Sequence, residues 1–152
     1  MKGPPLGRLE LLGWMNEVCE TDYPRVELCA DGIAYCQIID AIHPNVIPLS
    51  KLNCNKRSPI NLYVVTSKFE DDNTRNLKLL DDAFKKLGIN KIVPAAKLAK
   101  GKFQDNMEFL QWLYGYAVKI APHISKVYEG YQRRMEAYCK QKGSNSCVNY
   151  ET

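Results

Sequence analysis

Apolar residues recur at spacings of three and four along most of this chain, the period of helices that pack on one face. From Leu6 to Glu20 the positions Leu9, Leu12, Met15 and Cys19 keep that spacing, joined by Leu11, Trp14 and Val18. A second helix is predicted over Glu27 to Ile42, through Leu28, Ala34, Tyr35, Ile38, Ile39 and Ile42. His43-Pro44 stops it, because the residue before a proline avoids the helical region. Asn45 to Ser50 is expected to be a loop. Glu70 to Leu87 is predicted as a long helix: Leu77, Leu80, Phe84 and Leu87 face one way, acids crowd its first turn, lysines its last, and Gly88 follows. From Lys102 to about Ile120 the large apolar residues Phe103, Met107, Phe109, Leu110, Trp112 and Leu113 wrap most of the helical circumference. That pattern predicts a helix at the centre of the domain, with Trp112 in the core. Pro122 opens a final helix reaching about Gln141, with Ala121, Ile124, Tyr128, Tyr131, Met135 and Tyr138 in a heptad stripe. The stripe ends short of three heptads and is rich in tyrosine. It therefore predicts a helix folded back on a monomeric domain, with Tyr131 and Met135 buried, rather than a coiled coil. Residues 143–152 read as a disordered tail.

The length of 152 residues suits one domain with a short appendage. Charge changes the picture more than composition does. The formal net charge is +4, but residues 1–49 hold three basic residues against seven acids (−4), residues 50–104 twelve against five (+7), and the remainder contributes +1. Within the basic third, Lys91, Lys97, Lys100 and Lys102 occur with no acid among them, immediately before the helix that starts at Lys102. A loop of lysines feeding into a packed helix presents fixed positive charge, which steers an acidic partner and orients its approach.

Candidate chemistry is sparse. The glycines fit no phosphate-binding loop, and His43 and His123 both adjoin prolines with no triad partner at a usable spacing. Asp71-Asp72 and Asp81-Asp82 read as the solvated side of a helix. The six cysteines show no C-x-x-C pair, no histidine pair has metal spacing, and no export signal is apparent, so a reduced set is expected. No apolar run approaches the ~20 residues that cross a bilayer. The chain thus reads as a binding module and not an enzyme, with no catalytic residue, metal or cofactor. The basic residues have aromatics nearby, but those aromatics fall inside packed helices rather than on a stacking face, which argues against nucleic acid. A membrane partner is not expected either.

Four segments carry a resemblance: LELLGWMNE (Leu9–Glu17), GIAYCQIID (Gly32–Asp40), NLKLLDDAFKKLG (Asn76–Gly88) and KIVPAAKLAKGKFQDNMEFLQWL from Lys91 onward. Together they resemble, in order and over about Leu6 to Tyr116, the calponin-homology domain of the end-binding family of microtubule plus-end proteins. The resemblance implies an all-α calponin-homology fold, a compact helical bundle around a central buried helix, at residues 6–120, followed by an extra C-terminal helix at 121–142. It implies binding to tubulin in microtubules, whose surface is strongly acidic, at growing ends and on the spindle, and hence a cytoplasmic, cytoskeletal location. The alternative is an actin-binding or scaffold module of the same fold, although GKFQDNMEF is specific to the end-binding family. Carried over by position, the microtubule-binding residues are Lys91, Lys102 and Gln104, with Lys51, Lys68 and Arg8 added. Such residues meet the groove between protofilaments near the tubulin nucleotide, while Asn106 and Glu108 brace the helix start. Relatives continue into a coiled coil that dimerises, a part absent here. The segment Lys51 to Lys68 is about ten residues longer than the family's connection, and its Ile60 to Val65 has β-like composition.

Overall fold

A computed structural model describes residues 6–52 and 70–142. The order is α1 (Arg8–Cys19), a 3-10 turn (Val26–Asp31), α2 (Ile33–Ile42), a second 3-10 turn (Leu49–Lys51), α3 (Glu70–Leu87), α4 (Ala95–Leu98), α5 (Phe103–Ile120), α6 (Ile124–Val127) and α7 (Gly130–Lys142). The architecture is all-α, and no strand occurs among the described residues. Ile60 to Val65 and Lys68 lie outside them, as does the tail 143–152.

Local signals set several boundaries. α3 has the predicted ends; at its close Gly88 turns left-handed (φ 70°), its N–H donating to Lys85 O (3.2 Å) while Ile89 N donates to Phe84 O (2.9 Å). That double bond is the glycine-terminated helix end expected there. α2 stops at Ile42, ahead of Pro44. α1 ends through Asn16, whose Nδ2 donates to Tyr23 O (3.0 Å) and whose Oδ1 accepts from the Thr21 hydroxyl (2.8 Å) and Tyr23 N (2.9 Å). The Trp-x-Asn sequence thus ties the end of α1 to the turn that follows.

Several expectations are corrected. The helix predicted over Glu27–Ile42 is broken at Gly32, which adopts φ 76°. A Cβ there would come within 3.2 Å of Asn76 Cβ and of Leu77, so glycine both permits the left-handed turn and lets α3 approach. Asp31 closes the break, accepting from Ile33 N (2.9 Å) and from the Tyr23 hydroxyl (2.7 Å). Burial pushes the Asp31 carboxyl up to about 7, against the opposing pull of those two donors.

The centre of the bundle is α2, not α5. Every residue from Ile33 to Asp40 is buried, because α2 lies against α1, α3 and α5 at once. α5 buries a single face (Asn106, Phe109, Leu110, Leu113, Ala117), leaves Val118 and Ile120 exposed, and holds Trp112 only partly covered. Trp112 belongs to an aromatic row, 5.5 Å from Phe84 and 5.1 Å from Tyr116, at interplanar angles of 44° and 13°.

The single helix expected from Pro122 is two. α6 ends at an extended Tyr128, and α7 restarts at Gly130, which is pressed so closely on the Cys19 carbonyl that a Cβ would clash. The break satisfies two buried polar residues of α2. Tyr128 donates its hydroxyl to Asp40 Oδ2 (2.7 Å), and Gln37 Nε2 donates to Gly130 O (2.9 Å). Arg133 then grips Asp40 through Nε (2.9 Å) and Nη2 (3.0 Å). Arg134 donates to Gln37 Oε1 (3.1 Å), to Glu20 O (2.8 Å) and to Cys19 O, covering carbonyls at the end of α1. α7 therefore folds back on the domain, against the Leu49–Lys51 turn and α1. Met135 is buried as expected, whereas Tyr131 is only partly covered, with the Arg134 guanidinium 5.7 Å from its ring.

Cys19, Cys29 and Cys36 are free and buried, and burial pushes the Cys19 thiol up to about 12. Cys139 departs from the reduced set, being disulfide-bonded.

Candidate functional site

The basic loop from Lys91 to Lys102 is short of regular structure yet firmly held. Its anchor is Asn106, fully buried at the first turn of α5. Asn106 Nδ2 donates to Leu98 O (3.2 Å) and Lys102 O (3.0 Å), and Oδ1 accepts from the Tyr35 hydroxyl of α2 (2.7 Å). From α3, Asn73 Nδ2 donates to Ala99 O (3.3 Å) and Asn76 Nδ2 to Asp31 O (2.8 Å). Gly101 turns left-handed (φ 75°) where the loop passes the backbone of Glu27. The bonds to the Leu98, Ala99 and Lys102 carbonyls tie the loop to buried side chains of α3 and α5, so the backbone beneath the lysines is fixed from inside the core. The side chains of Lys97, Lys100 and Lys102 point the other way: they are exposed and, among the described residues, make no ion pair.

Around that loop the structure brings together part of the expected set. Arg8, at the start of α1, and Phe103, at the start of α5, line the same open groove of about 250 Å³. Lys102 and Gln104 flank Phe103 in sequence, so Arg8, Lys102 and Gln104 share one end of the domain. Lys102 occupies the position before α5 without a side-chain cap, and Gln104 is no cap either: its amide donates to Glu108 Oε1 (3.1 Å) one turn on, along the exposed side.

Lys91 sits apart. Its Nζ lies 5.8 Å from the centre of the Trp112 ring, a cation held over an aromatic face. At 1.5 Å and 100° per residue, Trp112 is ~14 Å along α5 from Phe103 and on the opposite side of the helix. Lys51 is exposed on the 3-10 turn that packs against α7. No described contact joins Lys51 to the loop, and Lys68 is outside the described residues.

Sequence reasoning missed Arg25, which joins Arg8 on the rim of the groove, and Asn73 and Asn76, which hold the loop and the turn beside it. Asparagines on the predicted core side of α3 were the available signal, since buried amides need partners. It also missed the Asp40–Arg133 pair. The polar Gln37 and Asp40 on an otherwise apolar helix were the sign that something must meet them.

The described residues contain no cluster of His, Cys, Asp or Glu suited to a metal ion, and none of their helices is long and apolar enough to cross a membrane. A profile of the calponin homology (CH) domain matches residues 7–119. A solved structure from work on the structural basis of microtubule plus-end tracking by XMAP215, CLIP-170 and EB1 is similar to this chain at 35% identity and a TM-score of 0.70, covering 84% of this chain and 97% of the other.

Proposed function

The chain belongs to the calponin-homology domain family, of the end-binding type, and on that premise we propose that it is a microtubule-binding module that recognises growing microtubule ends through its basic face. The observation that carries this is the loop of lysines whose backbone is pinned by Asn106 and Asn73 while its charges stay unpaired among the described residues. A mobile lysine loses side-chain and backbone freedom on binding. A lysine on a fixed backbone loses less, and its charge is already placed against an acidic surface such as tubulin's. Lys91, Lys102, Gln104 and Arg8 are the contacts, with Lys51 and Lys68 added by the family resemblance. The work is binding rather than catalysis, at the microtubule cytoskeleton.

The test is co-sedimentation with microtubules, actin filaments and duplex DNA in parallel. Wild-type protein should pellet with microtubules alone, and more with lattices built on a slowly hydrolysed GTP analogue than with GDP lattices. Lys91→Glu with Lys102→Glu should abolish pelleting while leaving helical circular dichroism unchanged and lowering the melting temperature only slightly, because neither lysine has an ion-pair partner to lose among the described residues and the Lys91 cation over Trp112 contributes about 0.5–1 kcal/mol. Wild-type pelleting with actin in place of microtubules, or undiminished binding by the double variant, would remove this interface.

A further inference from the structure

The groove between the first turns of α1 and α5 has an apolar interior that charge recognition leaves unused. Its floor is Leu12 and Val26, both buried, and its lips are Leu9, 74% exposed, and Phe103, 36% exposed. A single exposed apolar residue is ordinary, but two on the lips of one groove with an apolar floor form a patch of the kind that marks an interface. The rim is charged: Arg8 and Arg25 line it with Glu27, and the Lys100-Gly101-Lys102 turn crosses beside it, where a Cβ on Gly101 would sit 3.6 Å from Glu27 O. Two cations and one acid thus line the rim, with Lys100 and Lys102 adjoining Gly101 in sequence beside it, and none of these four cations is in an ion pair among the described residues. That rim selects an acidic partner, and the floor selects an apolar group within it.

We propose that this groove receives one apolar side chain projecting from the acidic surface of tubulin, so that an unscreened anchor lies inside the charged contact. The inference rests on the microtubule-binding reading and deepens it. Phe103 stands between Lys102 and Gln104, so anchor and charges belong to one continuous surface. The two contributions respond differently to salt. Contacts between exposed charges weaken as ions screen them over ~8–10 Å, whereas apolar burial does not.

Microtubule affinity is measured over a series of salt concentrations for wild type, Leu9→Ser and Lys102→Glu. Leu9 is solvent-exposed, so Leu9→Ser should fold and melt as wild type, which circular dichroism checks. The variant should bind about tenfold more weakly at every salt concentration with the wild-type salt slope, as expected for losing burial of one leucine. Lys102→Glu should instead flatten the slope. Phe103→Ala should repeat the Leu9→Ser pattern from the opposite lip. Wild-type affinity in Leu9→Ser, or a flattened slope, overturns the anchor and leaves the charged interface standing. Failure of the wild type to bind microtubules overturns both. A dimer seen by analytical ultracentrifugation at micromolar concentration and dissolved by Leu9→Ser would assign the groove to a second copy and overturn the anchor.

Discussion

Two groups of cations in this domain are held in opposite ways. Under the C-terminal helix, Arg133 and Arg134 are spent on the protein itself: one grips the buried Asp40, the other covers carbonyls at the end of α1. Burial lowers the Arg134 guanidinium from its ordinary range, while hydrogen bonds from Arg133 to Asp40 hold Arg133 above its own. In the basic loop the relation is reversed. Neutral asparagines fix the backbone and no acid neutralises the side chains among the described residues. A charge neutralised inside the fold docks a helix; a charge left outside on a fixed backbone is free to dock a partner. The same residue chemistry serves architecture in one region and, in the proposed function, recognition in the other, and what sits beneath the cation makes the difference.

The strongest way to break this contrast is Asp40→Ala. It removes the acceptor of both Tyr128 and Arg133, whose side chain is 32% exposed and keeps Glu136 as a second partner. The expected cost is about 2–3 kcal/mol in urea melts, the range for losing hydrogen bonds to a charged group when the cation left behind still reaches water. Microtubule affinity of the protein that remains folded should be unchanged. A cost below about 1 kcal/mol would show that α7 is not held by this seam.

Trp112→Ala probes the case between the two regions, since Lys91 has an aromatic face beneath it. Trp112 is only partly covered, so the loss should be about 2 kcal/mol, under the ~3–5 kcal/mol typical of a fully buried aromatic. Binding should weaken a few-fold as Lys91 loses its support. A stability change without any binding change would place Lys91 outside the interface.

Asp31 is a third arrangement, a buried acid met by the neutral donors Tyr23 and Ile33 N–H. Its carboxyl titrates at about 7 in the folded state, against an ordinary value of 3.8 for an unburied aspartate. The folded protein therefore holds a proton that the unfolded chain has released between those values. Stability should fall as pH rises from about 4 to 7 and level off above, by at most ~1.4 kcal/mol per pH unit from this group. Asp31→Asn should remove that slope in thermal melts taken across the window, and an unchanged slope would assign it elsewhere.

What could be read along the chain was whatever neighbours in sequence decide. α3 has its predicted ends because its acids, lysines and Gly88 act within one turn of the residues they terminate. The stop before Pro44 and the lysine-rich loop ahead of α5 are equally local. GKFQDNMEF made the family legible, and with it the candidate site, yet not the grouping of its members. That Arg8 meets Phe103 across a groove while Lys91 rests on Trp112 depends on how α1 and α5 are packed. The same holds for the centre of the bundle. Periodicity shows that α2 and α5 are both apolar, but only the positions of α1 and α3 decide which is covered on all sides. The breaks at Gly32 and Tyr128 were also set from afar, by Leu77 pressing on a glycine and by Asp40 drawing in a tyrosine hydroxyl 88 residues away. Hydrophobic spacing records that a residue is to be buried; the partner that buries it, or the buried polar group that must be met, is fixed by contacts between segments that the sequence keeps apart.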